Sequence, residues 1–190
     1  MISRLLVLLL SAAPAPSVSA GGSAKGVNFR ELRFTDKAGE HVVRFALSAE
    51  AKKKGPDGLT FRSRELTVTH TVGKSEVWHA KDFVEKCEFD LTLDVVEGSI
   101  RLTDLDGDGE PEVSFLYRLS CRSDVSPLTA KLLMYEGVTK YALRGETRER
   151  VGEKDFAGGD FKADPSFEQA PKFFEFAKAQ WKALIVEGAR

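Results

Sequence analysis

The chain has 190 residues, 42% of them hydrophobic and 30% charged, with a formal net charge of −1. That length gives room for one domain with a sizeable core. The near-neutral charge excludes a general nucleic-acid or anionic-membrane binder, and the ordinary composition excludes a disordered or collagen-like chain.

Residues 1–20 read as a signal peptide. Arg4 forms a short positive region, Leu5 to Ala13 an apolar run, and Pro14 and Pro16 interrupt it before the small-residue site Val18-Ser19-Ala20. The apolar run is about half of the roughly 20 residues that span a bilayer. Export to the periplasm or beyond is therefore expected, with no membrane span in the mature chain. Residues 21–26 read as a flexible leader, and 27–190 as a single β-rich domain.

Phe29 to Thr35 reads as the first strand, with an apolar phase slip between Phe29 and Leu32 that allows a bulge. His41 to Ala49 alternates, with Val43, Phe45 and Leu47 on one face. Residues 51–58 read as a turn whose Lys52, Lys53 and Lys54 form a solvated tip. Leu59 to Val72 is strand-like, with Leu66, Val68, His70 and Val72 in one parity. Glu76 to Ala80 reads as a short strand carrying Trp78, and 81–86 as a charged connection. Cys87, Phe89, Leu91, Leu93 and Val95 then alternate with polar residues, as in a half-buried antiparallel strand.

Ile100 and Leu102 lead into an acidic run, and Val113, Phe115, Tyr117 and Leu119 share a face beyond it, continued by Cys121. Lys131 to Tyr135 and Val138 to Leu143 predict a hairpin through Glu136-Gly137. Residues 145–164 read as a polar loop region around Gly158-Gly159. Phe174, Ala177, Trp181, Leu184 and Ile185 recur at helical spacing behind Pro171, which predicts an amphipathic helix over about 171–186. The expected fold class is mainly β (α+β): an antiparallel sheet, sandwich or partial barrel with one C-terminal helix. The two cysteines, Cys87 and Cys121, lie on apolar strand faces and in an exported chain invite a disulfide; two buried free thiols are the alternative.

The stretch Asp104-Leu105-Asp106-Gly107-Asp108-Gly109-Glu110-Pro111-Glu112 holds five carboxylates and no basic residue. Such charges repel unless solvent or a cation compensates them. Asp104, Asp106, Asp108, Glu110 and Glu112 stand at positions 1, 3, 5, 7 and 9 of the turn, where positions 1, 3 and 5 can point carboxylates at one centre, position 7 can give its backbone carbonyl and position 9 can close the cage. Ca²⁺ takes about 6–8 oxygens from carboxylates, carbonyls and water, so this spacing suits it better than octahedral Mg²⁺. Gly107 and Gly109 supply the backbone freedom of a sharp turn. An EF-hand is excluded because position 12 is Phe115 and the flanks alternate with period 2. A solvated acidic turn is the plainer reading.

The pattern D-x-D-G-D-G-x-x-E between short strands resembles the calcium loop of FG-GAP/VCBS-type repeats, here in a single copy. The resemblance implies calcium ligation by Asp104, Asp106, Asp108 and Glu112. From about Cys87 to Gly145, with Ser120-Cys121-Arg122-Ser123-Asp124-Val125-Ser126-Pro127 and Lys140-Tyr141-Ala142-Leu143-Arg144-Gly145, the chain resembles small exported bacterial proteins of unestablished activity. Some of these carry surface-polysaccharide labels.

His41, His70 and His79 show no H-x-x-x-H or H-E-x-x-H spacing, and no G-x-S-x-G or phosphate-cradling loop occurs. The expected function is a non-catalytic exported protein with structural Ca²⁺. The alternatives are a module binding cell-wall glycan or a protein partner, with Trp78 and Tyr141 as its exposed aromatics, and a surface-polysaccharide hydrolase.

Overall fold

The computed structural model describes residues 17–19, 23–24 and 27–186. Strands β1 (Ser17–Ser19), β2 (Ser23–Ala24), β3 (Val27–Asp36), β4 (Gly39–Leu47), β5 (Ala51–Lys54), β6 (Thr60–Val72) and β7 (Ser75–Cys87) form one antiparallel sheet. A second sheet holds β8 (Asp90–Val95), β9 (Arg101–Thr103), β10 (Glu112–Arg122), β11 (Thr129–Glu136) and β12 (Thr139–Glu146). After it come a small hairpin of β13 (Arg148–Arg150) and β14 (Phe156–Gly158), then β15 (Phe161–Ala163), which joins the second sheet beside β12. A 3₁₀ turn, Pro165–Gln169, leads into the helix α1 (Pro171–Leu184). Apart from Ser17–Ser19 and Ser23–Ala24, the expected signal peptide and leader lie outside the described residues.

The two sheets pack face to face. Leu32, Phe34, Val43, Phe45, Leu66 and Val68 of the first meet Leu93, Val113, Phe115, Tyr117, Leu133 and Tyr135 of the second. The opposite face of the second sheet, with Leu116, Leu132, Met134, Tyr141 and Leu143, is covered by Phe167, Phe173, Ala177 and Trp181. The arrangement is sheet on sheet on helix, and no barrel closes. Alternation places successive residues on opposite faces of a strand. Because both faces of β10 are covered, Glu112 through Tyr117 are all buried.

The helix is pinned through a polar contact as well as by its apolar face. Ser114 Oγ donates to Gln180 Oε1 at 2.9 Å, and Gln180 Nε2 donates to the Ser99 carbonyl at 2.5 Å. All three residues are buried. Ser114→Ala leaves the Gln180 oxygen without its partner and should cost about 1–2 kcal/mol, measured as a lower urea midpoint with an unchanged slope.

Several expectations change. No bulge interrupts β3, which pairs with β4 in unbroken register from Asn28 to Asp36; Phe29 faces outward under the Arg44 guanidinium, 4.8 Å away. Residues 81–86 are not a connection but the second half of β7. Asp82 anchors them to the second sheet, its carboxylate accepting from Tyr117 Oη at 2.9 Å and Lys131 Nζ at 2.5 Å. Burial raises the Asp82 pKa, and the hydrogen bonds from Lys131 and Tyr117 more than reverse this, leaving it below the usual carboxylate value.

The alternation from Cys87 to Val95 is not one strand. The chain turns a corner at Lys86, whose φ is 52°, and Phe89 is left 52% exposed between β7 and β8. Lys52, Lys53 and Lys54 lie in β5, whose side chains are all exposed; lysines at a sheet edge oppose pairing with other chains. The region 145–164 holds the end of β12 and three short strands, β13 to β15.

Candidate functional site

The acidic turn closes the β9–β10 pair, in which Thr103 faces Glu112 and Leu102 faces Val113. Gly107 and Gly109 take φ of 84° and 81°, the left-handed region open to glycine. The turn folds onto its own carboxylates. Asp104 accepts from the Gly107 amide at 2.8 Å and the Gly109 amide at 3.2 Å. Asp106 accepts from the Asp108 amide at 3.3 Å, and Asp108 from the Glu110 amide at 2.7 Å.

Two overlapping oxygen groups result, those of Asp104, Asp106 and Asp108, and those of Asp106, Glu112 and Glu136. Within each group one carboxylate oxygen per residue lies within 4.8 Å of the others. Asp106 belongs to both. Glu112 is fully buried, held by Thr103 Oγ1 at 2.7 Å and by the Leu105 amide at 3.1 Å. The three aspartates of the first group are exposed.

Of the five acids singled out in the sequence, four thus meet in these groups. Glu110 points its side chain elsewhere, against the β11–β12 turn: a Cβ on Gly137 would come within 2.5 Å of Glu110 Oε1. The fold adds Glu136 to the second group. The register pairs Val113 with Tyr135, which sets Glu112 and Glu136 side by side on neighbouring strands. Only the predicted hairpin, with Glu136 at its turn, pointed to that residue. Glu136 Oε1 is buried and has no hydrogen-bond partner among the described residues. Burial raises the Glu136 pKa, and the charges of Asp106, Glu112, Asp108 and Glu110 push it the same way.

A cleft lies on each side of the turn. One, of about 250 Å³, is lined by Asp106, Glu136, Tyr141, Lys172 and Phe173. The other, of about 240 Å³, is lined by Asp36, His41, His70, Glu110 and Gly137. Behind the second runs a buried chain of hydrogen bonds. Asp36 Oδ1 meets His41 Nε2 at 2.8 Å, and His41 Nδ1 meets His70 Nε2 at 2.9 Å. Sequence spacing gave no sign of this pairing, because it is made across β4 and β6.

Cys87 and Cys121 form the expected disulfide, with Cα atoms 5.5 Å apart. The bridge does not join neighbouring strands of one sheet but links β7 of the first sheet to β10 of the second. A disulfide fits an oxidising compartment. The expected aromatic surface is not present at Trp78 and Tyr141, which are 8% and 7% exposed. Trp78 stacks on Tyr135 at 3.9 Å in the inter-sheet core, and Tyr141 packs edge-on against Phe173 at 5.3 Å beneath the helix. No helix among the described residues is long and apolar enough to cross a membrane.

No family model, curated protein or solved structure matches this chain.

Proposed function

We propose that this is an exported, non-catalytic protein whose acidic turn holds one Ca²⁺ as a structural staple. The observation that carries the reading is the double role of Asp106, whose oxygens belong both to the aspartate group of the turn and to the group completed by buried Glu112 and by Glu136. Hard, flexible oxygen coordination is what Ca²⁺ requires. The cation would offset the repulsion that raises Glu136, and would tie the β9–β10 turn to the β11–β12 turn. Asp104, Asp106, Asp108, Glu112 and Glu136 are the proposed ligands. Export is supported by the signal-like N-terminus and by the disulfide, and extracellular calcium suits a modest site with Kd of about 0.1–1 mM.

Thermal unfolding of the chelated protein tests this. Free Ca²⁺ at about ten times Kd should raise the melting temperature by about 3–6 °C, with a smaller effect from Mg²⁺. Asp106→Ala should remove the gain, and Glu136→Gln should reduce it. A chelated protein whose unfolding does not respond to Ca²⁺ would refute the proposal.

A further inference from the structure

A separate groove of about 540 Å³ runs between the last turns of α1 and the β13–β14 hairpin, in the size range of ligand sites, about 300–1,000 Å³. Its walls differ in chemistry. Phe161 and Phe156 line it with aromatic surface above a buried Trp181, Arg148 and Lys182 bring positive charge, and Asp160 brings one carboxylate.

The aromatic side is held in place. Trp181 Nε1 donates to the Gly159 carbonyl at 3.0 Å, the Arg148 amide donates to the Ile185 carbonyl at 2.9 Å, and Arg148 forms a parallel bridge with Val186. The facing wall includes Gly158 and Gly159, with φ of 70° and 100°; a Cβ on Gly158 would meet the Thr147 carbonyl and Pro127, and one on Gly159 the Arg148 side chain. Arg148 lies over the Phe156 ring at 4.5 Å. Neither Arg148 nor Lys182 is paired with a carboxylate among the described residues, whereas Lys178 is held by Glu175 at 2.6 Å.

Two cations without a carboxylate partner among the described residues suit an anionic ligand. Asp160 disfavours a ligand that is anionic throughout, such as a polyglutamate segment, and accepts hydrogen bonds from hydroxyl groups. The aromatic lining suits the C–H face of a ring. We propose that this groove binds a short oligosaccharide bearing uronic-acid carboxylates. The carboxylates pair with Arg148 and Lys182, the hydroxyls donate to Asp160, and a sugar face lies on the aromatic lining. The site is independent of the acidic turn.

The full chain is titrated with a galacturonic-acid trimer, a neutral galactose trimer and hexaglutamate, at fixed ionic strength and with EDTA to silence the acidic turn. Calorimetry should give a Kd of about 1 mM or tighter for the uronate and at least about tenfold weaker binding for the other two. The Trp181 indole N–H resonance of the unaltered chain should shift on uronate addition. The double variant Arg148→Ala/Lys182→Ala, at two exposed positions, should keep its melting temperature and lose at least about tenfold in uronate affinity. No uronate binding at about 10 mM, equal binding of the neutral trimer or hexaglutamate, or an undiminished affinity in the double variant overturns the proposal.

Discussion

Removing the Cys87–Cys121 bridge should destabilise the protein by about 3–4 kcal/mol, the chain-entropy value for its loop. The bridged residues are 34 positions apart. The loop they close contains β8, β9, the acidic turn and most of β10. In the unfolded chain the bridge restricts all of these at once. In the folded chain it fastens β7 of one sheet to β10 of the other, close to the corner at Lys86. Apart from the chain itself and side-chain packing, the Asp82 contacts with Tyr117 and Lys131 are a second tie between these sheets. The first is a hydrogen bond from a neutral phenol and the second an ion pair, both part-buried, and they will not replace a covalent link. The double variant Cys87→Ala/Cys121→Ala avoids a lone thiol. Urea unfolding followed through Trp78 and Trp181 should show a lower midpoint, and the melting temperature should fall by roughly 6–16 °C. Equal midpoints for the oxidised protein and the double variant would show that the unfolded state gains little freedom when the bridge is removed.

The parts of this fold that were legible in the sequence are those governed by one period and one apolar face. The β11–β12 hairpin and the helix behind Pro171 follow from such patterns, although the helix buries Phe173 and Gln180 as well as Ala177 and Trp181. The three-layer arrangement was not legible. In β10 the apolar parity of Val113, Phe115 and Tyr117 marks one covered face, while Ser114 on the other face looks solvent-directed until Gln180 is known to meet it. The corner after Cys87 was hidden because apolar alternation runs straight across it. Trp78 looked available for binding because a lone tryptophan in a charged stretch gives no sign of Tyr135 beneath it. At the acidic turn, spacing alone brings Asp104, Asp106 and Asp108 together and sets Glu112 near Asp106, since a tight turn makes its own geometry. The Glu110 side chain and Glu136 could not be placed by spacing, because their positions depend on the next hairpin. Local chemistry was readable, and strand-to-strand chemistry required the register.

The His41–His70 pair is of that second kind, and it predicts acid sensitivity. Val43 faces His70 and His41 faces Val72 across β4 and β6, so the two imidazoles meet diagonally in the interior, both at most 7% exposed. Asp36 accepts from His41 Nε2, so that nitrogen carries a proton; His41 Nδ1 and His70 Nε2 share one more between them. Burial pushes the His70 pKa down to about 4 from an ordinary 6.5, and charge on His41 adds to this while Asp36 opposes it. The rings around the pair are Phe34, 4.4 Å from His41, and Trp78, 5.2 Å from His70; neither can stabilise a positive charge on His70 as water does. Unfolded, His70 takes up a proton as pH falls through about 6.5; folded, it resists until about 4. Between those values the unfolded state binds more protons, so stability rises with pH, is full above about 6.5 and is lost as pH falls toward 4. The difference amounts to about 3 kcal/mol at the limit. Urea midpoints measured from pH 7 to pH 4 should fall steeply over this window. The variant His70→Leu removes the titrating ring while keeping an apolar side chain beside Trp78. It should start less stable at pH 7, because His41 Nδ1 loses its partner, and should then decline more gently, retaining only the carboxylate contribution. The His70 ring resonances should stay those of the neutral form down to about pH 5. A His70 that titrates near 6.5 in the folded protein, or a His70→Leu variant with an unchanged pH slope, would show that the pair is open to water and places no limit on the fold in acid.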